Sequence, residues 1–517
     1  MKTKKLTLRR VILALLAGVV LWASFSPLSL WFLAVVGIAL FVRTLRDASL
    51  PSSFFYGLGV GLGLFLPLFY WARIASGSVL AWIALAFSQA LFIGLVGFAW
   101  QLLARSPRLG DVWLFPLSTA IVWVAVEQLR AMFPFGGLPW GLLGFGQVNS
   151  PFVHLAPYGS TQLVGGCVVL TGVFLSQIFR PSVRLSLRYL SATIVCAVPF
   201  ATSLIPLAQF SVADTVNVAY AQGVVPRSTE EVSGSRALVV TENLRSEVVK
   251  LQGKNFDFLV LPESTSDRDI RVDRASGAII EEMAQVIDGR PILLGTQEYI
   301  DDYRFNDYIL FRQSHVQARY SKQHPVPFGE YLPFRSFFVP LVDAASQISM
   351  DMRAGNKPAL LDVPLGQTGD GLSEVRIATP ICFEVGDSQV LSDAVRRGAS
   401  LIVVPTNNAS FGDTAESRQQ FDMTRFRAVE YGRDAIQIST VGISGAIAAD
   451  GSIIEKTEQW ESASGVVSLS VYDGVTWTAR FYSHIVILVF VLGAGLTAVA
   501  LLGQVTVAMR RSAGEKP

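Results

Sequence analysis

The chain has 517 residues, 51% of them hydrophobic and only 16% charged, and its mean hydropathy is +0.44. A chain this long and this apolar is not a purely soluble protein, and several membrane spans are expected. A formal net charge of +2 excludes the basic footprint of a nucleic-acid partner.

Lys2, Lys4, Lys5, Arg9 and Arg10 precede an uncharged run over 11–42, a start that imitates a signal peptide. As a single helix the run would be about 48 Å long, against a hydrocarbon core of about 30 Å. Two crossings broken at Phe25-Ser26-Pro27 fit better, because Pro27 is a natural break. Further apolar runs cover 54–72, 79–103, 112–126, 163–179, 189–210 and 485–509, which makes about eight helices. If every run crosses, the N-terminus, Arg43/Arg46, Arg105/Arg108, Arg180/Arg184/Arg188 and Arg510/Arg511 fall on one side. By the positive-inside rule that side is the cytoplasm, both termini lie there, and everything between Phe210 and Tyr482 lies outside it.

The expected organisation is therefore a membrane-helix region over 1–210, a non-membrane domain over 211–481, and a last span with a short tail over 482–517. Glu127 and Arg130 precede the loop Phe133-Pro-Phe-Gly-Gly-Leu-Pro-Trp140-Gly. On composition the loop reads as an interfacial aromatic belt. The functional alternative is a lipid-facing entrance shaped by Glu127 and Trp140, since ionisable groups near membrane depth are costly. Gly57, Gly59, Gly61 and Gly63 sit in a span and read as helix packing.

From about 211 to 480 short apolar runs alternate with helical patterns, which argues an α/β domain. Strands are expected at 216–220, 256–261, 291–294, 308–312, 316–320, 375–381, 401–404 and 436–440. Helices are expected at 235–251, 277–287, 388–397 and 418–431.

Three strand ends carry reactive groups. Leu-Val-Leu-Pro-Glu263-Ser ends in a carboxylate, Arg-Tyr-Ser-Lys322 in an amine with Phe-Gly-Glu330-Tyr-Leu-Pro following, and Ile-Cys382-Phe383-Glu384 in a thiol. Cys167 and Cys196 lie in apolar runs, so no disulfide framework is implied and Cys382 is the thiol of the non-membrane region. A lone cysteine is often just a buried apolar residue. Asp387, however, is placed to cap a helix from Ser388, and a helix N-terminus favours a thiolate. Ligand sites in α/β sheets gather where strands end, so the three groups are expected to converge. Together they form an acyl-transfer set of nucleophile, base and fixed positive charge.

The order Glu263, Lys322, Cys382 resembles the nitrilase superfamily, which implies a Glu-Lys-Cys catalytic set in an α-β-β-α sandwich. The membrane-bracketed layout is similar to the apolipoprotein N-acyltransferases within it. The Phe-Ser-Pro break, the Phe-Pro-Phe-Gly-Gly-Leu-Pro-Trp loop, Gln222-Gly223, Pro-Thr-Asn407-Asn408-Ala-Ser-Phe-Gly412 and Arg427-Ala-Val-Glu430-Tyr-Gly carry that likeness. It implies that Cys382 takes an acyl chain from a membrane phospholipid as a thioester. The α-amino group of the N-terminal diacylglyceryl-cysteine of a lipoprotein then receives it. It further implies Glu263 as base and acid, Lys322 on the oxyanion, Glu330 orienting Lys322, and Glu384, Phe383 and Asn407 around the pocket, in a bacterial inner membrane.

The stretch Phe334-Arg-Ser-Phe337-Phe338-Val-Pro-Leu reads either as a lid dipping into lipid or as an ordinary buried loop. The chain departs from the family pattern in three places. No Trp follows Gln222-Gly223 before Trp460, Asn408 and Ser410 replace an Asp and a Trp, and Phe383 stands where Tyr is common. His154, His315, His324 and His484 lack acid or cysteine companions at ligand spacing, and no phosphate loop follows a strand, so neither metal nor cofactor is expected. His324 reads as a pocket wall or a turn residue. Two rivals remain, a membrane-tethered amidase or nitrile hydrolase using water, and a non-catalytic scaffold or transporter. Soluble amidases need no helical frame, a scaffold has no use for an intact trio, and a transporter would carry more ionisable residues within its spans.

Overall fold

The structure, a computed structural model, describes residues 6–226, 236–339, 348–365 and 372–512. The departure at 227–231 and the end of the candidate lid at 340–341 lie outside the described residues, as do the side chains of Phe337 and Phe338. The chain divides into a helical unit (Met1–Arg73, Ser78–Pro206, Phe481–Pro517) and an α/β unit (Ile74–Gly77, Leu207–Arg480).

The helical unit begins with α1 (Leu8–Trp22), α2 (Phe32–Leu45), α3 (Leu50–Leu68), α4 (Tyr70–Ser76), α5 (Val79–Arg105), α6 (Leu114–Met132), α7 (Ala156–Ile178) and α8 (Leu185–Ser203), and a helix over Trp477–Ser512 closes the chain. A helix stands on each apolar run, and the expected break at Phe25-Ser26-Pro27 separates α1 from α2. Among the described residues five helices are long and apolar enough to cross a membrane: Leu50–Leu68, Val79–Arg105, Pro151–Ile178, Leu185–Ser203 and Trp477–Thr506. Helices α1 and α2, of 15 and 14 residues, rise only about 22 Å by helix geometry, and α6 carries Glu127 and Arg130. The glycines of α3 do pack helices: Gly63 meets Gly18 of α1, and Gly57 and Gly61 meet the α5 backbone.

In the α/β unit, β1 (Val212–Gln222) pairs antiparallel with the late strand Ala463–Tyr472 and parallel with β2 (Phe258–Val260). Outward from there the sheet continues through β3 (Ile292–Ile300), β4 (Tyr303–Arg312) and β5 (His315–Ser321), with β6 (Asp351–Met352) paired to β4. The second sheet starts at its edge with β7 (Leu360–Pro364), then β8 (Glu374–Ala378), β9 (Leu401–Thr406), β10 (Ala435–Ser439), β11 (Gly445–Ile447) and β12 (Ile453–Lys456). The late strand is β13. Strand alternation explains how the sheets pack. Val216, Val218 and Tyr220 of β1 join Val375, Ile377, Leu401 and Val403 in the core between the sheets. Ala219 and Ala221 of β1 face outward under α9 (Arg236–Val249) and α10 (Arg274–Val286). After α11 (Arg335–Phe338), α12 (Ser388–Arg396) and α13 (Glu416–Tyr431) pack on the second sheet, giving the expected four layers.

Candidate active site

Strand β8 runs parallel to β9 and ends at Ala378; four residues later Cys382 opens a short 3-10 turn, Cys382–Gly386. Its φ of +54° lies in the left-handed region, which costs a non-glycine residue about 1–3 kcal/mol and needs the surroundings to hold it. Two side chains do so. The Glu384 carboxylate accepts from the amides of Ile381 (2.8 Å), Gln323 (2.7 Å) and His324 (3.0 Å) and from the Tyr320 hydroxyl (2.9 Å). Buried Arg427 of α13 donates from Nε to Val385 O and from Nη2 to Gly386 O, both at 2.7 Å. Asp387 caps α12 at Gln389 N (2.7 Å) while taking His324 Nδ1 at 2.9 Å, so His324 is a bridging turn residue.

Cys382 is 5% exposed. Gln420 Nε2 donates to its sulfur at 3.5 Å, and Thr406 Oγ1 lies 3.4 Å away. Here the sequence expectation needs correction: the resting thiol is not acidified. Burial pushes it up, the Glu263 carboxylate adds to that, and the Lys322 charge only partly offsets them. The α12 N-terminus lies beyond the turn and is already capped by Asp387. A nucleophilic role for this sulfur would therefore require a neighbouring group to take its proton.

Glu263 follows β2 and is likewise buried, and its carboxylate acts electrostatically on the Cys382 thiol. Gly295 of β3 comes so close that a Cβ there would overlap the Glu263 carbonyl. Asn306 Nδ2 donates to Glu263 Oε1 at 2.6 Å, and Lys322 Nζ stands 3.6 Å from the same oxygen. Burial raises the Glu263 carboxyl above its ordinary range, with Lys322 opposing and Glu330 adding to the rise. Lys322, at the end of β5, is fully buried with Nζ 2.6 Å from Glu330 Oε1, and Glu330 Oε2 accepts from Val326 N at 2.7 Å. Burial would lower the ammonium, but Glu330 and then Glu263 outweigh it and hold the lysine charged. At Gly355, whose N–H donates to Lys322 O at 2.7 Å, a Cβ would overlap the Ser321 carbonyl.

Asn407 donates to Ser264 Oγ at 2.9 Å and accepts from Thr440 Oγ1 at 2.8 Å, tying the ends of β9 and β10 to the segment that carries Glu263. The half-buried Phe383 ring lies 6.1 Å from Phe411. Phe334, 69% exposed, precedes α11 in a left-handed conformation. Trp140 belongs to the helical unit, where it is 1% exposed and packs edge-on to Trp71 at 5.7 Å. In that loop Phe133 and Phe135 are the exposed rings, and the two ionisable residues hold its backbone. Glu127 accepts from Leu143 N at 2.9 Å, and Arg130 donates to Leu138 O and Trp140 O at 3.0 and 2.9 Å.

The sequence reading did not find Asn306, Thr406, Gln420 or Glu416. A signal for two of them exists. Glu416, Gln420, Thr424 and Arg427 recur at helical spacing and fall on one line of α13. All four are buried.

Two family models match the chain, the apolipoprotein N-acyltransferase N-terminal domain over residues 17–174 and carbon-nitrogen hydrolase over 287–473. An apolipoprotein N-acyltransferase of Mycolicibacterium smegmatis is 33% identical, across 94% of this chain and 84% of its own length. One of Photobacterium profundum is 25% identical, across 93% and 95%. Among solved structures, an amidase from Nesterenkonia sp. is 13% identical, covering 54% of this chain and 98% of its own at a TM-score of 0.36.

Proposed function

Since the chain belongs to the apolipoprotein N-acyltransferase family, we propose that it N-acylates lipoproteins by a two-step transfer through Cys382. Glu263 takes the thiol proton as sulfur attacks the acyl ester carbonyl of a membrane phospholipid. Lys322 and the Phe383 backbone N–H carry the charge of the tetrahedral oxyanion. Protonated Glu263 returns its proton to the leaving oxygen, and a lysophospholipid departs from the thioester. The α-amino group of a diacylglyceryl-cysteine then attacks the thioester; Glu263 takes the amine proton and returns it to the departing sulfur. Glu330 keeps Lys322 placed, and Glu384 keeps the nucleophile turn placed.

The observation that carries this reading is the convergence of Glu263, Lys322 and Cys382, all buried, from three separate strand ends. The apolar helices fit a bilayer enzyme with two lipid substrates, whereas an amidase using water needs none. The basic loops support an inner-membrane orientation with termini in the cytoplasm and the α/β unit on the outer face. Keeping water from the thioester is then part of the task, and the apolar stretch from Phe334 is the proposed shield.

The test is turnover of the full chain in phospholipid vesicles with a synthetic diacylglyceryl-cysteine peptide. Equal amounts of N-acylated peptide and lysophospholipid, both absent with Cys382→Ala, are expected. Lysophospholipid with free fatty acid and no acylated peptide would instead mark a hydrolase.

A further inference from the structure

Glu416 is a carboxylic acid the mechanism above does not use, and it is fully buried at the start of α13. Its Oε2 accepts from Asn408 Nδ2 at 2.8 Å, and its Oε1 has no hydrogen-bond partner among the described residues. Asn408 is held in one orientation, because its Oδ1 accepts from Ser439 Oγ at 2.6 Å while its Nδ2 also donates to Gln420 Oε1 at 2.8 Å. With its oxygen engaged by Asn408 and by Thr406 Oγ1 (2.8 Å), the Gln420 amide has its nitrogen left to face the sulfur of Cys382, and Nε2 lies 3.5 Å away.

An amide can rotate end for end, and its two faces have opposite meaning for a thiolate. Nitrogen toward the sulfur offers a hydrogen bond that strengthens as negative charge develops; oxygen toward it repels that charge. The arrangement that decides which face is presented ends at an acceptor, the Glu416 carboxyl. We propose that Glu416 is a positioning residue for the nucleophile, fixing Asn408 and through it Gln420 so that an N–H is aimed at the Cys382 sulfur.

Burial lifts the Glu416 carboxyl to about 8, so near neutral pH it is a neutral acceptor that adds no charge opposing the thiolate. The inference rests on Cys382 being the nucleophile, and on no other part of the proposed reaction.

The experiment is the rate of Cys382 labelling by iodoacetamide at pH 7 in the full chain, read by mass spectrometry of the labelled peptide, beside turnover of phospholipid. Glu416→Met keeps the volume but removes the acceptor, and Gln420→Leu removes the amide. Each should slow labelling about tenfold, the scale of one hydrogen bond to a developing charge. The double variant should also be slowed about tenfold rather than about a hundredfold, because both changes remove one shared interaction. Glu416→Gln, which can still accept from Asn408, should restore the rate to within about twofold. In turnover, kcat should fall with KM unchanged. Should Glu416→Met fail to fold, Glu416→Asp, which draws the carboxyl back by one methylene, must slow labelling in the same way.

Labelling of Cys382 that Glu416→Met leaves at the wild-type rate, or losses that multiply in the double variant, would overturn the inference while leaving Cys382 as nucleophile. Wild-type labelling that avoids Cys382 would remove the nucleophile assignment and this inference together.

Discussion

Lys322 holds its charge between two carboxylates, Glu330 at 2.6 Å and Glu263 at 3.6 Å, with no exposure to solvent. In the proposed reaction three ionisable groups so placed divide the work by environment. Burial raises Glu263 toward the pH at which it can both take and return a proton, while the paired acids keep Lys322 charged throughout. Glu263→Gln preserves the shape and removes the base. It should slow formation of the acyl-enzyme by about 10²–10⁴-fold without lowering the melting temperature, as rapid-quench mass spectrometry and a thermal melt would show. Glu416 supplies a pH-dependence of stability. Its folded pKa of about 8 lies above its ordinary 4.5, so the stability it contributes is present below 4.5 and is lost as pH rises toward 8. Wild-type protein should therefore lose melting temperature relative to Glu416→Gln between pH 5 and pH 9; parallel curves across that range would contradict a buried acid at 416. The candidate residues at 263, 322 and 382 were legible because a carboxylate, an amine and a thiol each follow an expected strand, a combination of groups that points to chemistry where a lone amide or hydroxyl does not. Asn306 and Thr406 were not, since a polar residue within or just ending a strand signals nothing until its neighbour across the sheet is known.

Among elements, the nucleophile turn shows how a strained conformation is held by parts distant in sequence. Arg427 reaches it from α13 with two backbone carbonyls and Ser388 Oγ as partners. Lysine cannot reproduce that planar fork. Arg427→Lys should cost about 1–3 kcal/mol of stability and slow acyl-enzyme formation, with the Glu263 and Lys322 side unaffected; unchanged kinetics would detach α13 from the turn. Gly295 acts in the same way on the other side. A methyl group there would displace Glu263, so Gly295→Ala is expected to abolish the acyl adduct even where the protein still folds. The helices expected at 388–397 and 418–431 and the strands ending near Glu263 and Lys322 are present within a few residues; in α12 the apolar positions Val390, Leu391, Ala394 and Val395 are buried on one face. Strands β6 and β7 and strands β11 to β13 were not read. Residues of β12 are all exposed at the sheet edge, so burial imposed no pattern there. Strand β13 does alternate, with Val467, Leu469 and Val471 buried between serines, and was legible though unread.

At the scale of the molecule, composition alone separated the chain into its helical and α/β parts, since a lipid-embedded segment and a soluble core demand different sequences. Helix length was less legible. The run at 11–42 gave two helices of 15 and 14 residues, because the turn through Pro27 takes residues that an apolarity count assigns to spans. The side proposed for each loop rests on the distribution of basic residues. With Cys167, Cys196 and Cys382 replaced by serine, Asp301→Cys should react with an impermeant maleimide added to spheroplasts, and Arg108→Cys should react only after permeabilisation. The reverse pattern would invert the proposed orientation.

The central claim is a covalent acyl intermediate on one sulfur. It is tested most directly by the intact mass of the purified protein after incubation with phospholipid and no acceptor. The account predicts a gain of one acyl chain, absent in Cys382→Ala and lost when a diacylglyceryl-cysteine peptide is added, with the chain recovered on the peptide's α-amine. Acylated peptide formed at the wild-type rate with no adduct at any time, or by the Cys382→Ala protein, would contradict it.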